Sequence, residues 1–139
     1  MKEQIIKAIV VDFREHDMKE PTYGLREIKN SLSTLQGIVG GNIEIPYISK
    51  ELYEKGIDMI INEEGKLINL KTSMFVIDKE TNQILDSIKG NVIFTSHDDE
   101  GNTTSLNAEQ IGFLTTLLDD NIVIFADGVE EGVAFTINA

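Results

Sequence analysis

The segment "TSHDDEGNTTSLNAEQ", Thr95 to Gln110, sets a histidine beside three carboxylates and follows them with hydroxyls, amides and another glutamate. Oxygen-rich clusters of this kind bind calcium, and imidazoles bind zinc or iron. Asp98, Glu100 and Asn102 have the one-three-five spacing of a calcium loop. The sixth position, where such a loop needs glycine to turn, is Thr103, and the glycine falls at Gly101. "DKETNQ" from Asp78 fails in the same way, with Gln83 at the sixth place. The only histidines are His16 and His97, each expected in a polar loop, and there is no cysteine to add a thiolate. No metal site and no cofactor are expected.

Covalent and acid–base chemistry are equally hard to place. There is no G-x-S-x-G elbow. The paired acids Glu63-Glu64, Asp98-Asp99, Asp119-Asp120 and Glu130-Glu131 stand in polar turns, where nothing separates one pKa from its neighbour's. Phosphate binding needs glycines that open a helix, whereas Gly37, Gly40 and Gly41 are expected after one. No catalytic residue is singled out, and the opening segment reads as a turn leading into a helix.

Charge is more informative. Apolar residues make up 41% of the 139-residue chain, enough for one domain with a real core. Its net charge of −12 is unevenly spread. Residues 1–89 hold fifteen acids against all twelve Lys and Arg, leaving −3. Residues 90–139 hold nine acids and neither cation, leaving −9. Such a field repels phosphate backbones and attracts basic surfaces. The apolar run in "MKEQIIKAIVVDF" is too short to span a membrane and lacks a signal-peptide cleavage site, so a cytoplasmic setting is expected.

The elements expected to carry these residues form an α+β fold, a mainly antiparallel sheet of hairpins with two amphipathic helices packed on it. Ile5–Phe13 reads as a buried strand, and residues 14–23 as a loop. Leu25, Ile28, Leu32 and Leu35 recur at helical spacing, with Gly37 as a stop. Ile43, Ile45 and Tyr47 alternate as an edge strand beside a proline. A turn or two of helix is expected between Ser49 and Gly56. "IDMIINEEGKLINL" reads as a hairpin in which Gly65 takes positive φ. "MFVID" and "QILDSI" form a second hairpin and "NVIFT" a further strand. Asn107 caps the helix that follows, with Gln110 completing a capping box and Ile111, Leu114, Leu117 and Leu118 as its buried stripe. "NIVIF" and "VAFTI" form a closing hairpin over residues 122–137.

In that order, the first strand, "LQGIVGGNIEIP", "INEEGKL", "NVIFT" and "SLNAEQI" resemble an uncharacterised family. It is a domain of unknown function found mainly in phages, plasmids and conjugative elements of bacteria. The resemblance spans about residues 7–115 and leaves the closing hairpin outside. Its most specific pieces are Val39-Gly40-Gly41 with Glu44, and Asn62-Glu63-Glu64-Gly65-Lys66-Leu67. The asparagine-arginine pair that members often carry next is absent from "INLKTSMF". The resemblance implies a small α+β domain with Gly40, Gly41, Glu44, Asn62, Glu63 and Gly65 as binding residues.

Together these readings predict a non-catalytic accessory protein that binds a basic, nucleic-acid-handling partner, as an inhibitor or a nucleic-acid mimic. Asp98, Asp99, Glu100, Asp119, Asp120, Asp127, Glu130 and Glu131 are its candidate acidic face. No direct contact with nucleic acid or membrane is expected, and the edge strands permit a homodimer. The alternative is a binder of a nucleotide or signalling metabolite near Gly40-Gly41 and "NEEG", with Lys66 or Lys71 meeting the phosphate.

Overall fold

The computed structural model describes residues 4–13 and 20–139. His16 and most of the expected 14–23 loop lie outside the described residues. The chain runs β1 (Ile5–Asp12), β2 (Thr22–Lys29), α1 (Leu32–Val39), β3 (Ile43–Glu44), α2 (Lys50–Glu54), β4 (Ile57–Asn62) and β5 (Thr72–Ile77). It continues through β6 (Ile84–Lys89), β7 (Val92–His97), β8 (Thr103–Thr104), α3 (Ala108–Asp120), β9 (Ile122–Ala126) and β10 (Glu131–Asn138). This is an α+β fold with mainly antiparallel sheets, as the hairpin-rich sequence predicts.

The first sheet has the order β2-β1-β7-β4-β3, with β8 added alongside β7. The second has the order β6-β5-β10-β9. Side chains on β1 alternate between two cores. Ile6, Ala8 and Val10 pack with Leu35 and Val39 of α1 on one face. Ile9 and Val11 turn the other way, toward Leu114 and Leu118 of α3 and toward Met74, Val76, Phe135 and Ile137 of the second sheet. The large sheet is therefore covered on both sides, which is why β1 and β7 are apolar on both faces along most of their length. The second sheet contains one parallel ladder, β5 to β10, with Phe135 beside Met74.

Two expected elements are replaced. The helix predicted through Leu25, Ile28, Leu32 and Leu35 is a strand followed by a helix. Thr22–Lys29 pairs with β1 along its whole length, and Leu25 is exposed. The helical spacing was coincidental across this break, and pairing to an open strand edge overrode it. Ser31 accepts from the Thr34 N–H and starts α1, which runs through Gly37 and ends at Gly40 with φ 83°.

The hairpin predicted for "IDMIINEEGKLINL" is also absent. β4 pairs with β7 on one side and β3 on the other, so no edge remains for residues 66–70. These residues coil in successive turns, with the Leu70 N–H bonded to the Gly65 carbonyl and Leu67 exposed. Gly65 stays out of the left-handed region. It must be glycine for another reason: a Cβ there would stand 2.8 Å from the Lys89 carbonyl oxygen.

The edge strand expected from Ile43 to Tyr47 is only two residues long, with Pro46 just beyond it. The β5–β6 and β9–β10 hairpins form as expected. The Asn107–Gln110 capping box is present, and Gln110 also donates to the Lys55 carbonyl at 2.9 Å.

Candidate functional site

The two family-like motifs, distant in sequence, meet at Asn62. The pairing of β3 with β4 sets Ile43 opposite Asn62, and the Glu63 N–H bonds to the Asn42 carbonyl at 2.8 Å. The buried Asn62 amide donates to the Val39 carbonyl at 3.1 Å and accepts from the Glu64 N–H at 2.7 Å. A buried amide left unpaired is costly, so these bonds hold the end of α1 against the end of β4. Gly41 makes room for the latch, since a Cβ there would lie 2.9 Å from the Asn62 Nδ2.

On the solvent side of Asn62 is a cleft of about 300 Å³, lined by Glu44, Glu63, Gly65, Lys66, Asp86 and Lys89 among others. Gly40 and Gly41 lie behind Asn62 and outside the cleft. Gly40 lines a separate groove with Lys71 and Asn91. The cleft's cations are engaged. Lys66 pairs with Asp86. Burial pushes the Asp86 carboxyl upward, but the Lys66 hydrogen bond, the Ser87 N–H and the Lys66 charge outweigh it and hold its pKa below the ordinary value. The Lys89 ammonium lies 3.3 Å from Glu130 and 2.7 Å from the Thr72 hydroxyl.

The eight acids of the candidate face fall into three groups. Asp98, Asp99 and Glu100 are exposed in the turn between β7 and β8. There the Asp98 carboxylate accepts from the Asn102 side chain and from the Asn102 and Glu100 N–H groups, which lowers its pKa. Asp119 and Asp120 end α3, and Asp119 accepts from the Tyr23 hydroxyl. Asp127, Glu130 and Glu131 belong to the β9–β10 turn. The Val129 and Glu130 N–H groups bond to the Asp127 carboxylate and lower its pKa. Glu130 is half-buried and clasps β5, accepting from the Thr72 N–H at 2.7 Å and from the Thr72 hydroxyl at 2.8 Å.

His97 is not in a loop. It ends β7, with Nδ1 3.0 Å from Asp58. Among the described residues no three His, Asp or Glu side chains gather as a metal-holding group.

With Val39-Gly40-Gly41 and Asn62–Gly65 joined at one buried amide, the fold gives a physical reason for both motifs. The chain belongs to the family described as "Domain of unknown function (DUF3846)", which matches residues 6–119. The DUF3846 match contains all but the first residue of β1, the elements from β2 to β8 and all but the last residue of α3, and it stops before β9 and β10. No curated protein and no solved structure matches this DUF3846 chain. Among its described residues no helix is long and apolar enough to cross a membrane.

The sequence reading missed one surface. β9 exposes Ile122, Val123 and Ile124, and the neighbouring Val129 is also exposed. "NIVIF" looks like a core strand, and only its place at the end of the second sheet leaves it uncovered. The Lys89–Glu130–Thr72 clasp was also missed, because no local pattern relates those three positions.

Proposed function

We propose that this is a non-catalytic accessory protein, of mobile-element type, that acts by binding a basic nucleic-acid-handling protein as an inhibitor or nucleic-acid mimic. The observation that carries this reading is the charge of residues 90–139. They contain nine carboxylates and no Lys or Arg, and every one of those acids except Glu130 is exposed. Exposed carboxylates steer a basic partner and repel nucleic acid itself. Glu109 lies in the first turn of α3 and Asp119 and Asp120 end it, so exposed acids stand at both ends of that helix.

The test is to pass bacterial lysate over the immobilised protein through a salt series. Retention of a basic, nucleic-acid-handling protein that falls steadily with ionic strength is expected. Absence of any such protein, or retention indifferent to salt, overturns the reading.

The cleft beside Asn62 favours a second reading, a small-molecule binder for a nucleotide or signalling metabolite. Its volume of about 300 Å³ suits a compact ligand. An incoming phosphate would have to displace Asp86 from Lys66 or Glu130 from Lys89. Native mass spectrometry separates the readings, since a reproducible added mass on the purified protein supports the cleft.

A further inference from the structure

We propose that the outer edge of β9 is a docking strand, onto which a basic, extended segment of the partner protein adds as a fifth strand of the second sheet. This rests on the partner-binding reading above and names its mode.

The hydrogen-bond pattern of the last hairpin shows which groups are available. The Thr136 N–H bonds to the Asn121 carbonyl at 2.9 Å, and the Asp127 N–H to the Glu130 carbonyl at 3.0 Å. Bonded pairs alternate along an antiparallel ladder, so Asn121, Val123, Phe125 and Asp127 turn their backbone groups toward β10. Ile122, Ile124 and Ala126 must therefore turn theirs outward. Among the described residues no strand takes them, because β9 ends the order β6-β5-β10-β9.

Other sheet edges carry features that discourage pairing, and β9 does not. Charged side chains, prolines, bulges and short length all blunt an edge. β2 carries Arg26, Glu27 and Lys29, and β3 has two residues before Pro46. β6 carries Asp86 and Lys89 and meets β5 through two register shifts. β9 reads Ile-Val-Ile-Phe-Ala with regular pairing to β10. Register places Ile122 opposite Phe135, on the face that forms the core, yet Ile122 is 52% exposed and Ile124 is 87% exposed. That face overhangs the core. On the opposite face Phe125 packs edge-on against Phe75 at 4.9 Å.

Charge selects the occupant. Asp119 and Asp120 precede the strand, and Asp127 and Glu131 follow it. Glu20 faces Ile124 and Glu131 across an open groove of about 520 Å³. A second copy of this chain would bring these carboxylates against themselves. A partner strand alternating apolar residues with Lys or Arg would cover Ile122 and Ile124 while meeting acids at both ends of a run about 17 Å long.

The probe is a short labelled peptide of alternating valine and lysine, followed by fluorescence anisotropy and by amide hydrogen exchange. In the wild-type protein the Ile122, Ile124 and Ala126 amides should exchange quickly alone and slow when the peptide is added. The Val123 and Phe125 amides should be protected throughout. Ile124→Pro removes an outward N–H that β10 does not use, and should weaken peptide binding about tenfold, whereas Ile124→Thr, which keeps that N–H and loses only part of the apolar cover, should weaken it much less. Peptide binding that leaves the three outward amides unchanged overturns the proposal. So does their protection by rising protein concentration without peptide, which would mark a second copy as the occupant. If Ile124→Pro retains the basic lysate partner as well as wild type does, the strand mode falls and the partner reading stands. If wild type retains no basic partner at any salt, the partner reading itself falls.

Discussion

Tyr23 and Asp119 join β2 to the end of α3 through a single hydrogen bond, donated by the phenol and accepted by the carboxylate. That bond, with some burial and the carboxylate's charge, raises the Tyr23 pKa from 10.0 to about 12. The neutral phenol is the donor, so ionising it removes the bond and leaves two anions side by side. The bond's contribution to folding is complete below the ordinary tyrosine pKa of about 10 and disappears as pH rises through the folded-state value. One of the three tyrosines should form its phenolate late in an ultraviolet titration. In Asp119→Asn that transition should move down toward the ordinary value. A late transition left unmoved by the substitution would show that Asp119 is not its cause.

The joint between α1 and β4 is where two elements depend on one side chain. Asn62→Ala leaves the Val39 carbonyl and the Glu64 N–H without their partner and should cost about 2–3 kcal/mol. Gly41→Ala forces a Cβ against the same amide and should cost about 1–3 kcal/mol. Because both act on one contact, the double variant should be less destabilised than the two losses added, by about 1 kcal/mol in urea unfolding. Strict additivity would show that Gly41 and Asn62 act separately.

How far these elements could be read beforehand depended on whether their signal was local. β1, β5, β6, β7, α3 and the last hairpin carry their own alternation, periodicity or caps, so they were legible. β2 was not, because Leu25 and Ile28 mimic a helix face and only β1 makes the segment a strand. The turns after Asn62 were misread because β4 has already given both its edges to β3 and β7. The motif residues of the candidate site were visible as motifs. Their meeting at one amide depends on the β3–β4 register, and the exposure of Ile122 and Ile124 depends on sheet order.

At the scale of the whole molecule, a charge of −12 opposes compaction, and ion pairs such as Arg26–Asp12 and Lys66–Asp86 relieve it only locally. Screening should therefore stabilise the fold. Raising monovalent salt from low concentration to ~0.15 M, where the Debye length is about 8 Å, should raise the Tm by a few degrees. A Tm that stays flat or falls would mean the carboxylates repel one another too weakly to matter.

The parallel ladder between β5 and β10 also has a kinetic consequence. Each flanking hairpin closes locally and can form early, but Phe135 must find Met74 across sixty intervening residues of chain. The second sheet should therefore assemble by the late docking of its two hairpins, a step slowed by the long loop that must close. Glu130, reaching across to Thr72 and Lys89, buckles the two hairpins together once they have met.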